Sequence, residues 1–161
     1  MDEAAKKQAL RLIPYGLYVI GCRSADGHPN AFLGSWVSQT SFKPPLVMIG
    51  VRAGSQSNGY IRETKRFSVS QFGADQKALA TKFLKDVVLE GRAMNGVPFE
   101  EGELGLPYFP DTVADFACRL VETVDVGDHT IFVGEVVEAR YRGGAAARAL
   151  THAETGWHYG G

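Results

Sequence analysis

Apolar and polar residues alternate along much of this chain, a period that marks strands buried on one side. RFSVSQF (66–72) alternates in this way and predicts a half-buried strand. DFACRLVETVDV (115–126) does so at Phe116, Cys118 and Leu120. HTIFVGEVVEARY (129–141) sets His129, Ile131, Val133, Glu135 and Val137 on one face, so its histidine is expected to point along the apolar side of its sheet. Two denser apolar stretches also read as strands, YGLYVIGCR (15–23) and the buried LVMIGVR (46–52). Between them SADGHPN supplies a turn centred on Asp26-Gly27. AFLGSWVSQTSF (31–42) then reads as a strand that drifts into a polar loop before Pro44-Pro45.

Helical spacing is confined to short stretches. Residues 2–12 predict a helix that ends before Pro14. Ser57 or Asn58 is placed to cap a helix through Thr64. Asp75 is placed to cap QKALATKFLK (76–85), where Leu79 and Phe83, and Ala80 and Leu84, recur at i,i+4. From Asp86 to Pro110 neither period holds, and seven glycines and prolines interrupt the chain. A loop that long predicts a functional segment or one packed against a neighbour. RGGAAARA (142–149) is a further loop. Six or so closely spaced strands and a few short helices, with no repeat and no linker, predict a single mainly β domain over residues 1–161, built as an antiparallel barrel.

Charge and composition narrow the function. The net charge of −1 argues against a protein held on nucleic acid by many phosphate contacts, but leaves room for a basic pocket for one small anion. The longest apolar runs are too short to cross a bilayer, and MDEAAKKQAL lacks an apolar signal core, so a cytoplasmic protein without a membrane segment is expected. Cys22 and Cys118 read as buried thiols. No HExxH, HxH or Cys/His cluster suggests a metal, and GxSxG, GK[ST] and GxGxxG are absent.

The candidate chemistry lies elsewhere. Ser35, Ser38, Thr40 and Ser41 crowd seven residues between two apolar strands, and Ser55 and Ser57 follow the next strand. Hydroxyls and free N–H groups at strand ends can hold a phosphate or a polar ring edge; ordinary loop polarity would look the same. Trp36 reads first as a core or interface anchor, and Lys82, beside Phe83, as a solvated helix position. Gly127-Asp128-His129 by itself is either a plain hairpin turn or a site.

In order along the chain, these pieces resemble the flavin reductase family of flavin-binding split β-barrels, over roughly residues 12–160. YGLYVIG is similar to its opening strand. NAFLGSWVSQTSFKPPLVMIGV resembles its flavin-binding segment, with Asn30, Ser35, Ser41 and Pro44-Pro45 at the usual spacing. SQSNGYI resembles its phosphate loop and short helix, RFSVSQF and ALATKF its next strand and helix, GDHTIFVGEV its best-known signature, and LTHAETGWHYGG its last strand. Leu33 stands where the family often has Thr, Trp36 where it often has a small residue, and Ala31 where it often has Gly.

The resemblance implies a split antiparallel barrel that transfers a hydride from NADH or NADPH to FMN or FAD. It implies a flavin ring along Leu33, Gly34, Ser35, Trp36, Val37 and Ser38, with Asn30 and Phe83 in the same set. Ser38, Thr40, Ser41, Ser55 and Ser57 would serve the ribityl chain and phosphate, and Lys82 would add charge there. His129 would face the nicotinamide, held by Asp128. The resemblance also implies a homodimer, with the 86–110 loop as a partner-contacting element, and a monooxygenase or electron-transfer protein as recipient. A flavoredoxin-like electron carrier and a non-catalytic flavin-binding module are the alternatives.

Overall fold

The alternating segments pair antiparallel into one sheet in the computed structural model, which describes residues 1–160. Helix α1 (Glu3–Arg11) precedes strands β1 (Tyr18–Arg23), β2 (Pro29–Gly34), β3 (Val37–Ser41) and β4 (Leu46–Arg52). Helix α2 (Gln56–Thr64), strand β5 (Arg66–Gln71) and helix α3 (Lys77–Thr81) follow. Five two-residue strands come next: β6 (Leu89–Glu90), β7 (Ala93–Met94), β8 (Val97–Pro98), β9 (Glu100–Glu101) and β10 (Pro107–Tyr108). The long strands β11 (Ala114–Val126) and β12 (His129–Tyr141) and helix α4 (His152–Thr155) complete the order.

The main sheet runs β2-β1-β5-β11-β12-β4-β3. Strands β2 and β3 are consecutive in the chain yet lie at opposite edges, with only Ser35 and Trp36 between them. From Gly34 to Val37 the chain spans at most about 11 Å, three Cα–Cα steps of about 3.8 Å. Seven strands laid flat would hold their edges about 29 Å apart, at about 4.8 Å per spacing. The sheet therefore curls until its edges approach, and the ladder stays open between β2 and β3. This is the split antiparallel barrel that the resemblance implied. AFLGSWVSQTSF is thus two strands rather than one that fades into a loop.

Two apolar clusters hold the curl. Inside it, Ile20, Val47, Ile49, Phe67, Val69 and Phe132 pack together with Ile61 of α2. On the outer side of β1 and β5, Val19 and Phe72 pack against Phe83 and against Met94, Val97 and Phe109. Residues 86–110 are therefore not a bare loop. Short hairpins fold them onto the sheet, and Met94, Val97, Phe99, Leu106, Tyr108 and Phe109 are buried there.

That cover explains a second difference. Strand β5 is buried on both faces, not one. Its alternate serines, which read as a solvent face, are satisfied inside: Ser68 Oγ donates to the Pro107 carbonyl at 2.7 Å, and Ser70 Oγ donates to Asp115. Helix boundaries also shift. Ser55, not Ser57 or Asn58, caps α2, its Oγ accepting the Asn58 N–H at 3.2 Å. Helix α3 starts from Gln76 without a side-chain cap, so Asp75 is not its cap, and it ends early enough to leave Leu84 55% exposed. The closing LTHAETGWHYGG is helix and coil with one bridge at Thr151 rather than a strand; Gly161 lies outside the described residues. Among the described residues no helix is long and apolar enough to cross a membrane.

Among the described residues Asp115 is the one buried acid, and it ties three segments together. Its carboxylate accepts from Ser70 of β5 and pairs with Arg142 beyond β12, while Arg142 Nε donates to the Thr112 carbonyl at 3.1 Å. Removing one partner of a buried pair strands the other. Asp115→Ala should cost about 3 kcal/mol, at the low end because Arg142 is 31% exposed. Urea unfolding measures it; a loss under about 1 kcal/mol would show that water replaces the pair freely.

Candidate functional site

The gap between β2 and β3 opens into a cavity of about 580 Å³, a size usual for small-molecule sites. One wall is β2 and the break after it, Asn30 to Trp36. The facing wall is the turn after α3, Phe83 to Val87. Arg52, Ser55, Gln56 and Ser57 close one part of it at the start of α2, and Trp157, His158 and Tyr159 another. Leu17, Ala31, Leu33, Phe83, Val87 and Trp157 make an apolar slot. The start of α2 supplies hydroxyls and a helix N-terminus, and the end of β4 supplies the Arg52 guanidinium, a combination suited to an anion. Asn30 Nδ2 donates to Ser57 Oγ at 3.1 Å and so ties the β2 edge to this end.

The sequence-derived residues divide. Asn30, Leu33, Gly34, Ser35, Trp36, Ser55, Ser57 and Phe83 line the cavity. Val37 and Ser38 line a separate depression on the outer face of β3, β4 and β12. Thr40 and Ser41 line neither, because β3 runs on along the sheet edge away from the gap. Lys82 is also outside: burial of Phe83 fixes the rotation of this turn, and the Lys82 side chain points to solvent. Sequence reading missed Arg52, Gln56, Lys85, Trp157 and Tyr159, all of them in the lining. Arg52 was within reach of it, as a cation ending an apolar strand just before the serines of residues 55–57.

His129 departs most from expectation. The interior positions of β12 are Thr130, Phe132 and Gly134, so His129, Ile131 and Val133 lie on the other face. There His129 pairs across the ladder with Arg52, and Ile131 with Gly50. The absent side chain at Gly50 is what admits Trp36, since a Cβ there would meet the indole Cε3 at 2.7 Å. The His129 ring lies on that indole, centroids 4.4 Å apart. Its Nδ1 is 2.7 Å from Asp128 Oδ1 and its Nε2 2.8 Å from the Tyr159 hydroxyl. Its side chain is only 13% exposed, sheltered by these neighbours and not by the barrel interior.

The hydrogen bond from His129 holds the Asp128 carboxyl below its usual range. Asp128 is therefore an acceptor, and in the neutral ring the proton sits on Nδ1 while Nε2 accepts from Tyr159. Burial raises the Tyr159 hydroxyl above its ordinary value and keeps that donor protonated. The Trp36 Nε1–H is buried without a partner. Among the described residues, no three His, Cys, Asp or Glu side chains gather as a metal site.

The chain that builds this slot resembles known proteins in sequence and in fold. The flavin reductase-like domain model matches residues 10–161. The chain belongs to this family. An NADH-dependent FMN reductase of Agrobacterium fabrum, SmoA, is 33% identical over 86% of this chain and 76% of its own length. A putative diflavin flavoprotein of Nostoc is 30% identical over 94% of this chain, which spans only 26% of that larger protein. Among solved structures, the styrene monooxygenase flavin reductase of Pseudomonas putida is 26% identical, with 89% of each chain covered and a TM-score of 0.75. In this chain the indole of Trp36, lodged over Gly50, separates the cavity from His129.

Burial pushes both thiols up to about 12, Cys22 inside the curl and Cys118 on β11. Neither should react with Ellman's reagent at pH 8 in the folded protein, and both should react in guanidinium. Rapid labelling of either in the native state would show the strands around it opening.

Proposed function

We propose that this chain is an NAD(P)H-dependent flavin reductase that holds FMN or FAD in the cavity between β2 and β3. One observation carries this reading: a single cavity joins an apolar slot to a cationic, hydroxyl-bearing helix start, the shape and charge of a flat ring with a phosphorylated tail. The relatedness to an NADH-dependent FMN reductase supports it. When bound, the flavin supplies the redox chemistry, taking a hydride from the reduced nicotinamide.

The protein's own part is binding, orientation and exclusion of water. Leu33 and Phe83 cover the ring with apolar surface. The chain break at Ser35-Trp36 lies beside it, where backbone N–H groups can offset charge gained on reduction. Arg52, Ser57 and the first turn of α2 balance the phosphate. Ser41, Thr40 and Lys82 are left out of this reading, because they lie outside the cavity. His129, fixed by Asp128, receives the nicotinamide nucleotide at the rim. Its imidazole can stack or hydrogen-bond, and no side chain serves as an obligatory base.

Residues 1–160 work as one domain in this reading, and two copies pair. The outer face of β3, β4 and β12 supports that pairing, because Ile13, Val37, Met48, Val126 and Ile131 surround its depression. Most apolar side chains of 86–110, Met94, Val97, Phe99 and Phe109 among them, are already committed to the chain's own core, while Val88 is exposed. A monooxygenase is the natural consumer of the reduced flavin, as the name of the Pseudomonas putida protein indicates for that protein. Two free, buried thiols fit a reducing compartment such as the cytoplasm. The Trp36 partition favours a second reading, an electron carrier that receives electrons from a protein instead of a nicotinamide.

Equilibrium dialysis with FMN and with FAD should find one saturable site, and its absence would sink the reading. Arg52→Ala removes a charge-assisted contact of about 1.5–3 kcal/mol, a roughly 10- to 150-fold rise in Kd, whereas Ser41→Ala leaves Kd unchanged. His129→Ala should keep the flavin Kd within about twofold and raise the KM for the nicotinamide with little change in kcat, the mark of contact that is equal in ground and transition states. Stopped-flow reduction with NADH and NADPH measures it. Wild-type saturation with both nucleotides would return Gly127-Asp128-His129 to turn chemistry.

A further inference from the structure

We propose that Tyr159 is a latch: by bonding to His129 and lying against Trp36, it closes the passage between the flavin cavity and His129, and the reduced nicotinamide reaches His129 only by displacing it. The inference rests on the flavin reductase reading above.

The geometry leaves His129 no free polar group. Asp128 takes Nδ1, Tyr159 takes Nε2, and Trp36 covers one ring face. Trp36 and Tyr159 also line the cavity on their other side, with ring centroids 5.6 Å apart. The two aromatic rings thus stand between the cavity and His129, Trp36 lining the spaces on both sides and Tyr159 reaching His129 from the cavity side. A dinucleotide lying over the flavin meets these rings before it meets His129.

Of the two rings, Tyr159 is built to leave. Trp36 is lodged over Gly50 and is continuous with β3. Tyr159 is 47% exposed and sits in coil. Gly156 and Gly160 flank its segment with φ of +72° and +83°. The bond to His129 is the only hydrogen bond holding residues 158–160 among the described residues. Chain direction is fixed just before it, where the Trp157 carbonyl meets His152 Nδ1 at 2.8 Å. The segment can therefore swing about a fixed point one or two residues away. The closed form is also incompletely satisfied, since the Trp36 N–H is buried without a partner while Gly160 lies against the indole. Outward movement of residues 159–160 opens that N–H to water or to the incoming ligand.

The test is Tyr159→Phe in the full chain, with Tyr159→Ala as a stronger version. The first readout needs neither flavin nor nicotinamide: the rate of acylation of His129 by diethyl pyrocarbonate, mapped by peptide mass spectrometry against exposed His28 in the same molecule. Tyr159→Phe should speed His129 acylation at least threefold, and Tyr159→Ala further. In the flavin-loaded protein the KM for NADH or NADPH should fall at least threefold, because a closed fraction no longer subtracts from apparent affinity. Unchanged acylation overturns the latch, whatever the flavin does. Faster acylation with an unchanged or raised KM also overturns it, by showing that Tyr159 shields His129 without gating the reductant. Failure of the wild type to bind flavin is a different result: it sinks the flavin reductase reading, while the acylation rates still report whether Tyr159 holds His129.

Discussion

The structure depends on a connection two residues long. Ser35 and Trp36 must join strands at opposite edges of a seven-stranded sheet, and no flat or gently twisted sheet allows it. Curling the sheet satisfies the connection, encloses the Phe67, Val69 and Phe132 cluster, and leaves one opening where the edges meet without pairing. The candidate cavity is that opening. Its position follows from chain connectivity rather than from any particular side chain. A barrel whose edges paired fully would have no such opening at this place.

Once the opening exists, distant parts of the chain supply its chemistry. Strand β2 brings an apolar wall, the end of β4 and the start of α2 bring the cation and hydroxyls, and the turn after α3 brings Phe83. Overall charge gives no hint of this, since the molecule carries only −1. What matters is that Arg52 stands beside a helix N-terminus, where two favourable contributions to anion binding act on the same small volume. Glycine has an equally local role. Gly50 lets an indole pack closely against β4, and that indole decides that His129 and the cavity are neighbours separated by a ring.

Much was legible beforehand. Period-2 patterning located the strands, Gly and Pro marked their turns, and the order of short motifs pointed to the flavin reductase family. The cavity segments at residues 30–36 and 55–57 were also legible, because turn-forming and hydroxyl residues between apolar strands have few structural uses. Individual side chains were less so. Ser41 and Thr40 have the composition of a phosphate site but belong to a strand that runs away from it. Lys82 neighbours Phe83 in sequence, yet burial of the one turns the other outward.

The sequence by itself determined the family and the long strands β1, β4, β5, β11 and β12. Only the tertiary structure decided which faces are inside. On β12 both alternating sets are partly apolar, His129, Ile131 and Val133 against Thr130, Phe132 and Gly134, and periodicity separates two such faces without saying which is buried. On β5 the serines were a solvent face by pattern and an interior face in fact, because residues 94–109 fold over them and satisfy their hydroxyls. Alternation is a property of one strand, whereas burial depends on what is packed against it. At β5 and β12 that partner comes from segments far away in sequence.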